Sequence, residues 1–251
     1  MTFVRESFIV FRRQVRMNLR NPAWVLIGVM QPVLYLVLFG PLLKPLVDDF
    51  GVENPYTFLV PGLLVQLGMF GAFFAGFGLI GEWREGVVEA ERVTPASRTA
   101  LLVGRLSRDV AQLFVQALIL VGLGFAMGMR APAGGVVIGV LLTLLVGGAC
   151  AAASNALALT TKSEDVMAPV INMVMMPVLL LSGILLPMTI GPDWLQRVSD
   201  FMPFRWIVDA VRDTFTGDFG TSQLMWGTTW AVALFGLALW WGTAVFRKEN
   251  A

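Results

Sequence analysis

Histidine is missing from this 251-residue chain, cysteine occurs once, and only 14% of the residues are charged. Without imidazole there is no Ser/His/Asp triad, no Cys/His pair, no H-E-x-x-H zinc site and no histidine proton relay. Metal or acid/base chemistry would have to rest on carboxylates. No pair of aspartates lies inside an apolar run, so an intramembrane aspartyl protease is excluded too, and neither a catalytic residue nor a metal site is expected. Cys150 sits among small residues in GGACAAASN, a setting for helix packing, and a single thiol cannot close an internal disulfide. Lys44, Lys162 and Lys248 each follow a residue other than glycine, so there is no G-x-x-x-x-G-K-[ST] phosphate loop. The shortage of charge also bears on the solvent. Soluble domains carry about 25% charged residues. Here 14% charged against 57% hydrophobic leaves too little polar material to cover a globule in water, and the bilayer becomes the expected solvent. A net charge of +1 gives no field suited to nucleic acid or an acidic substrate.

What the chain does have is long apolar runs. Positions 21–43, 54–81, 166–192 and 219–246 contain no Asp, Glu, Lys or Arg, and each meets the roughly 20 residues needed to cross about 30 Å of hydrocarbon. The stretch 110–161 holds one charge, Arg130. As a single helix it would be roughly 78 Å long, so it must cross twice, with the break predicted at MRAPAGG, where Pro132 and its neighbouring glycines interrupt the helix. The reading is an all-α membrane protein with six transmembrane helices. Arg5, Arg12, Arg13, Arg16, Arg20, Arg84, Arg92, Arg98, Arg105, Arg108, Lys162, Arg247 and Lys248 fall on one side, against Lys44, Arg130, Arg197, Arg205 and Arg212 on the other. The positive-inside rule then puts both termini and the loop after the second span in the cytoplasm. The first apolar run exceeds the h-region of a signal peptide and no A-x-A-like site follows, so it is expected to remain as a span.

Three segments do not cross. In residues 1–20, Phe8, Phe11, Val15 and Leu19 share one helical face, while Arg5, Arg12, Arg16 and Arg20 hold another, with Arg13 beside them. That pattern predicts an N-terminal amphipathic interface helix, and ordinary basic flanking sequence fits it equally. Between the fifth and sixth spans, 193–220 forms two short amphipathic pieces separated at Pro203, a helical pair on the extracytoplasmic side able to dip back into the membrane; a solvated connector is the alternative. The loop EWREGVVEAERVTPASR carries seven charges in an otherwise charge-poor chain. Glu85, Glu89 and Arg92 are spaced to share one face of a helix continuing the second span, and Thr94-Pro95 stops it and starts the next, giving helix, sharp corner, helix. On these residues alone a solvated face and a docking corner are equally good readings.

The loop EWREGVVEAERVTPASRTALLVGR, the fifth-span end LLLSGILLP and the later DWLQRVSDFMPFRWIVDAVRDTFTG together resemble the permease subunits of type-2 ABC transporters, nearest to the daunorubicin-type drug-export branch. The likeness covers nearly the whole chain and includes its order: basic amphipathic start, six spans, the V-T-P-x-S-R corner after the second, the S-G-x-x-x-P element before the outer helical pair. Gly86-Val87-Val88-Glu89 departs from the family's frequent Gly-Thr-Leu-Glu, and Met202-Pro203 from Asn-Pro. The resemblance implies one transmembrane domain over 1–251, with an interface helix at 1–20 that includes Arg12, Arg13 and Arg16. It implies a cytoplasmic coupling loop at 82–109, in which Glu82, Arg84, Glu85, Glu89, Arg92, Thr94, Pro95, Ser97 and Arg98 meet a separate ABC ATPase. It further implies a homodimer with two copies of that ATPase, ATP and Mg on the partner subunit and no cofactor on this chain, in a bacterial cytoplasmic membrane.

Polar and aromatic residues inside the runs suggest where a substrate would pass. Gln31 and Tyr35 share a face of the first span, Gln66, Phe70, Phe73 and Phe77 of the second, and Asn172 and Met176 of the fifth. Meeting at a dimer axis, these faces would line a path for a large amphipathic substrate such as a drug, lipid or glycolipid. Interhelical packing within one copy is the competing reading. A gradient-driven transporter or an accessory subunit is the alternative function. The first is disfavoured because no run holds an ionisable residue away from its ends.

Overall fold

The computed structural model describes residues 11–12, 23–46, 54–87 and 98–248, and among these the chain forms helices and turns with no strand. In chain order the helices are α1 (Ala23–Leu43), α2 (Pro55–Phe73), α3 (Ala75–Arg84), α4 (Arg98–Ala126), α5 (Ala133–Thr161), α6 (Glu164–Leu181), α7 (Asp193–Asp200), α8 (Pro203–Thr216) and α9 (Ser222–Lys248). Single 3-10 turns at Lys44–Leu46 and Met188–Ile190 follow α1 and precede α7. Among the described residues six stretches are long and apolar enough to cross a membrane: α1, α2 with α3, α4, α5, α6 and α9. This is the all-α, six-span architecture expected. Of the expected interface helix, Phe11 and Arg12 are helical and Arg12 is exposed, while the rest lies outside the described residues.

Local chemistry sets most of the boundaries. Pro55 occupies the first turn of α2, where its missing N–H costs nothing, and Asn54 Oδ1 accepts from the Tyr56 N–H. The second span is broken at Phe74, and beyond it the Gly76 N–H turns sideways to donate to Ser154 Oγ on α5, 3.1 Å away. The break between the third and fourth spans falls earlier than the sequence suggested. The chain turns at Met127 and Gly128, and Pro132 caps α5 with Gly134 and Gly135 already inside it, because a proline is well placed just ahead of a helix. α5 ends at Lys162 in the left-handed conformation, and Glu164 and Asp165 then open α6 with the charge its N-terminus favours.

α5 is the central post. Of its apolar stretch 61% is buried, and of the second span 65%, against 22%, 17% and 22% for α1, α6 and α9. Its buried side is made of small residues, among them Gly135, Gly139, Gly147, Gly148, Ala151 and Ala152, which allow neighbouring helices to come close where no water drives them together. The α8 helix is buried in the same way. Ile207, Val208, Ala210, Val211 and Phe215 are fully enclosed, packed against α5, α9 and α2. One face of α8 is thus packed into the bundle. α7 differs, with Trp194 and Phe201 left open on its outer side.

Candidate functional site

Charged side chains gather where α3 leaves the bundle and α4 returns, at the two roots of the loop EWREGVVEAERVTPASR. Arg105 donates from Nη2 to Glu82 Oε2 at 2.7 Å across the two helices. Arg108 lies 3.8 Å from the other oxygen of Glu82, and its Nη2 and Nε donate to Asp109 Oδ1 at 2.7 and 2.9 Å. Two guanidiniums and two carboxylates balance one another here. The Arg105 side chain is 3% exposed and the other three are between 11% and 15%. Charges so enclosed interact strongly and tolerate the loss of a partner badly.

Around this cluster the same end of the molecule is cross-braced. Arg84 meets Glu164, the first residue of α6, at 2.9 Å, both well exposed, and the Lys162 ammonium stands 5.8 Å from the Trp83 ring. The root of the loop is therefore tied to α4, α5 and α6 together. The sequence singles out Glu82 and Arg84 of this cluster, and counts Arg105 and Arg108 only as cytoplasmic charge on the way to the third span. α4 starts at Arg98, and Arg105, Arg108 and Asp109 lie within its first four turns. The spacing i, i+3, i+4 in GRLSRDV was the available sign that they share one helical face.

One expectation for the loop is corrected. The helix does not run on through Glu85: α3 ends at Arg84, Glu85 caps it, and Gly86 at φ +74° turns the chain. That φ is open to glycine and strained for other residues, so the shared face of Glu85, Glu89 and Arg92 is interrupted at its first member. Glu85 itself is exposed. Glu89, Arg92, Thr94, Pro95 and Ser97 fall outside the described residues, and Arg98 opens α4.

The residues proposed to line a path separate into two groups. Gln31 and Tyr35 lie one turn apart on α1, Gln31 exposed and 3.4 Å from the Tyr35 hydroxyl. Asn172 and Met176 are exposed on α6, where Asn172 Nδ2 donates back to the Ala168 carbonyl at 3.1 Å. These two faces are open. Gln66 is not, being 1% exposed inside the bundle with neither amide atom hydrogen-bonded, while Phe70 and Phe77 are half-buried against the core. The side chain of Phe73 lies outside the description. Placing Gln66 on a shared axis fails because α2 turns that face toward its own neighbours in the bundle.

At the opposite end, α7 and α8 are held by a second polar set. Arg205 donates to Ser199 Oγ at 2.7 Å and pairs with Asp200, and Trp206 Nε1 donates to the Asp200 carbonyl at 2.9 Å. Arg212 donates from Nη2 to the carbonyls of Gly183 at 2.7 Å and Ile184 at 3.0 Å. Burial pushes the Asp209 and Asp213 carboxyls up and brings Arg212 down to about 10, with Asp209 opposing the last shift.

The profile of ABC-2 type transporters matches residues 5–216. The chain belongs to the ABC-2 type transporter family. Relatives agree over most of its length. Proteins named "Putative transport permease ycf38" are 28% identical over 216 residues in Cyanophora paradoxa, covering 84% of this chain and 74% of the relative, and 28% over 198 residues in Porphyra purpurea, covering 77% and 68%. The counterpart in Pyropia yezoensis is 26% identical over 216 residues. The molecule is thus a multi-pass permease subunit of a membrane transporter, and the braced charge cluster stands at the root of this permease's main charged loop.

Proposed function

We propose that this permease is the membrane-spanning half of an ATP-driven exporter, and that the loop 82–109 receives a separate ABC ATPase. Two copies of the chain and two of the ATPase form the working unit, in a bacterial cytoplasmic membrane with both termini in the cytoplasm. ATP and Mg belong to the partner. The substrate is hydrophobic or amphipathic, a drug, lipid or glycolipid, and passes beside the open faces of α1 and α6, where Gln31, Tyr35, Asn172 and Met176 stand on the surface of one copy. A second copy there would cover polar groups that lipid solvates poorly.

The observation that carries this reading is the buried cluster of Glu82, Arg105, Arg108 and Asp109. A loop that merely connects two spans needs no such root. Joined by paired charges in a low-dielectric setting, α3 and α4 would move together when the loop is pushed, and the push would reach the bundle instead of being absorbed in the loop. The exposed Glu85, which caps α3 just before the chain turns at Gly86, is the natural first contact for a basic partner surface.

Affinity purification of tagged chain from its native membrane tests the proposal. An ATPase with a Walker motif should be recovered at near one-to-one ratio, and Glu85→Arg should release it while the variant still folds. Absence of any ATPase, under conditions that keep other membrane complexes intact, would overturn the reading in favour of a gradient-driven or accessory role.

A further inference from the structure

α6 is held in an unusual way. It crosses the bundle with only 17% of its apolar stretch buried, yet both of its ends are fastened. At the loop-bearing end the polar fastening is the Arg84–Glu164 pair, whose side chains are 56% and 41% exposed, a geometry in which water screens the attraction and the net contribution is small, beside an apolar contact in which the buried Met167 lies against Gly76. At the other end it is Arg212. Its Nη2 bridges the Gly183 and Ile184 carbonyls just past the last turn of α6, its guanidinium lies 4.0 Å above the Phe58 ring of α2, and Asp209 stands 3.6 Å from Nη1. Ile184 is fully buried there. Its carbonyl lies so near Gly62 of α2 that a Cβ on that glycine would come within 2.4 Å of the oxygen. Charge-assisted bonds to two carbonyls, a ring face and a close backbone contact, all sheltered from solvent, hold far more firmly than one exposed ion pair.

We infer that Arg212 is the positioning residue that fixes the outer end of α6 as a pivot, so that the fifth span swings at its loop-bearing end during the transport cycle. The asymmetry of the two fastenings sets the direction of the motion. The weak one adjoins α3, which carries the loop's first charges, and it can break and re-form as that helix moves; the strong one cannot slide without uncovering the carbonyls of Gly183 and Ile184 and the Arg212 charge. Between them α6 buries one narrow stripe, Met167, Ile171, Met175 and Val178, and its flexible methionines can shift without breaking a polar contact. With Asn172 and Met176 on the open face of α6, the swing would widen and narrow the space between two copies.

This inference rests on the exporter reading, and inter-copy distances separate the two. In a Cys150→Ser background, one spin label per chain is placed at Val166 near the loop-bearing end of α6 or at Leu180 near the outer end, both exposed. The complex with its co-purified ATPase is then measured without nucleotide and after trapping with ATP and vanadate. The Val166 distance should shift by several ångström while the Leu180 distance stays within its own width. Arg212→Gln should make the Leu180 distance shift or broaden as well, and Arg212→Lys, which keeps the charge without the fork, should do so to a lesser degree. Equal shifts at both ends of the unaltered chain, or a shift confined to Leu180, would overturn the pivot. If no inter-copy distance is found, the homodimer falls. The same comparison is then read within one chain, from labels at Val166 and Trp240 against labels at Leu180 and Met225, with the same two outcomes. Failure to recover an ATPase sinks the exporter reading before any label is introduced.

Discussion

Replacing Arg105 by alanine removes a guanidinium whose side chain is 3% exposed from its 2.7 Å contact with Glu82, and leaves a carboxylate enclosed at the root of the loop. Losing one partner of a buried pair costs about 3 kcal/mol or more. The expected result is a large drop in thermal stability, with a double-mutant cycle between Arg105→Ala and Glu82→Ala giving a coupling of more than ~1 kcal/mol. The same cycle between Arg84 and Glu164 should give less, below ~1 kcal/mol, because both side chains are exposed. Melting of the four variants in detergent or nanodiscs measures both. Equal couplings would mean that the enclosed cluster is no stronger than a surface pair. Gln66 teaches the opposite lesson at this scale. An amide in an apolar run is visible in sequence, but whether it faces the interior or a second copy depends on how α2 is rotated in the bundle, and sequence spacing leaves that rotation undetermined.

Among the elements, α5 and α8 show how small residues decide packing. A Cβ on Gly139 would lie 2.6 Å from the Phe215 ring and 3.0 Å from Thr214 Oγ1 of α8, whereas one on Gly134 would meet nothing within 4 Å. Gly139→Leu should therefore push α8 away at a cost of about 1–3 kcal/mol, and Gly134→Leu should melt like the unaltered chain. A Gly134→Leu melting point as low as that of Gly139→Leu would contradict the packing. The spacing of Gly135 and Gly139 was legible in sequence; its partner was not, since the glycine pair reads the same whether it meets α8 or a second chain. Helix lengths were legible because apolar runs must match the hydrocarbon thickness. Charge placement was less so: a helix start near Thr94-Pro95 is readable, but that Arg105, Arg108 and Asp109 stand enclosed beside Glu82 is not, because that balance exists only once α3 and α4 are side by side.

For the molecule as a whole, the distribution of basic residues predicts an orientation with the loop and both termini on one, arginine-rich side. Cysteines introduced singly at Glu85 and Phe201, both exposed, should be labelled by a membrane-impermeant maleimide from opposite faces: Glu85→Cys in inside-out vesicles, Phe201→Cys in right-side-out ones. The reverse pattern would invert the topology and with it the assignment of loop 82–109 to the ATPase side. The sequence by itself determined that the chain lives in a bilayer, crosses it six times, lacks the residues for histidine or phosphate-loop chemistry and is charged where the second and third spans meet. These properties follow from composition and run length, which need no neighbours to act. Tertiary structure alone decided that Arg105, Arg108 and Asp109 join Glu82, that α8 lies inside the bundle, that Gln66 is enclosed, and that the polar contacts at the two ends of α6 are a sheltered arginine and an exposed ion pair. Each of those depends on which helix faces which, a matter of shape and close packing between segments far apart in the chain.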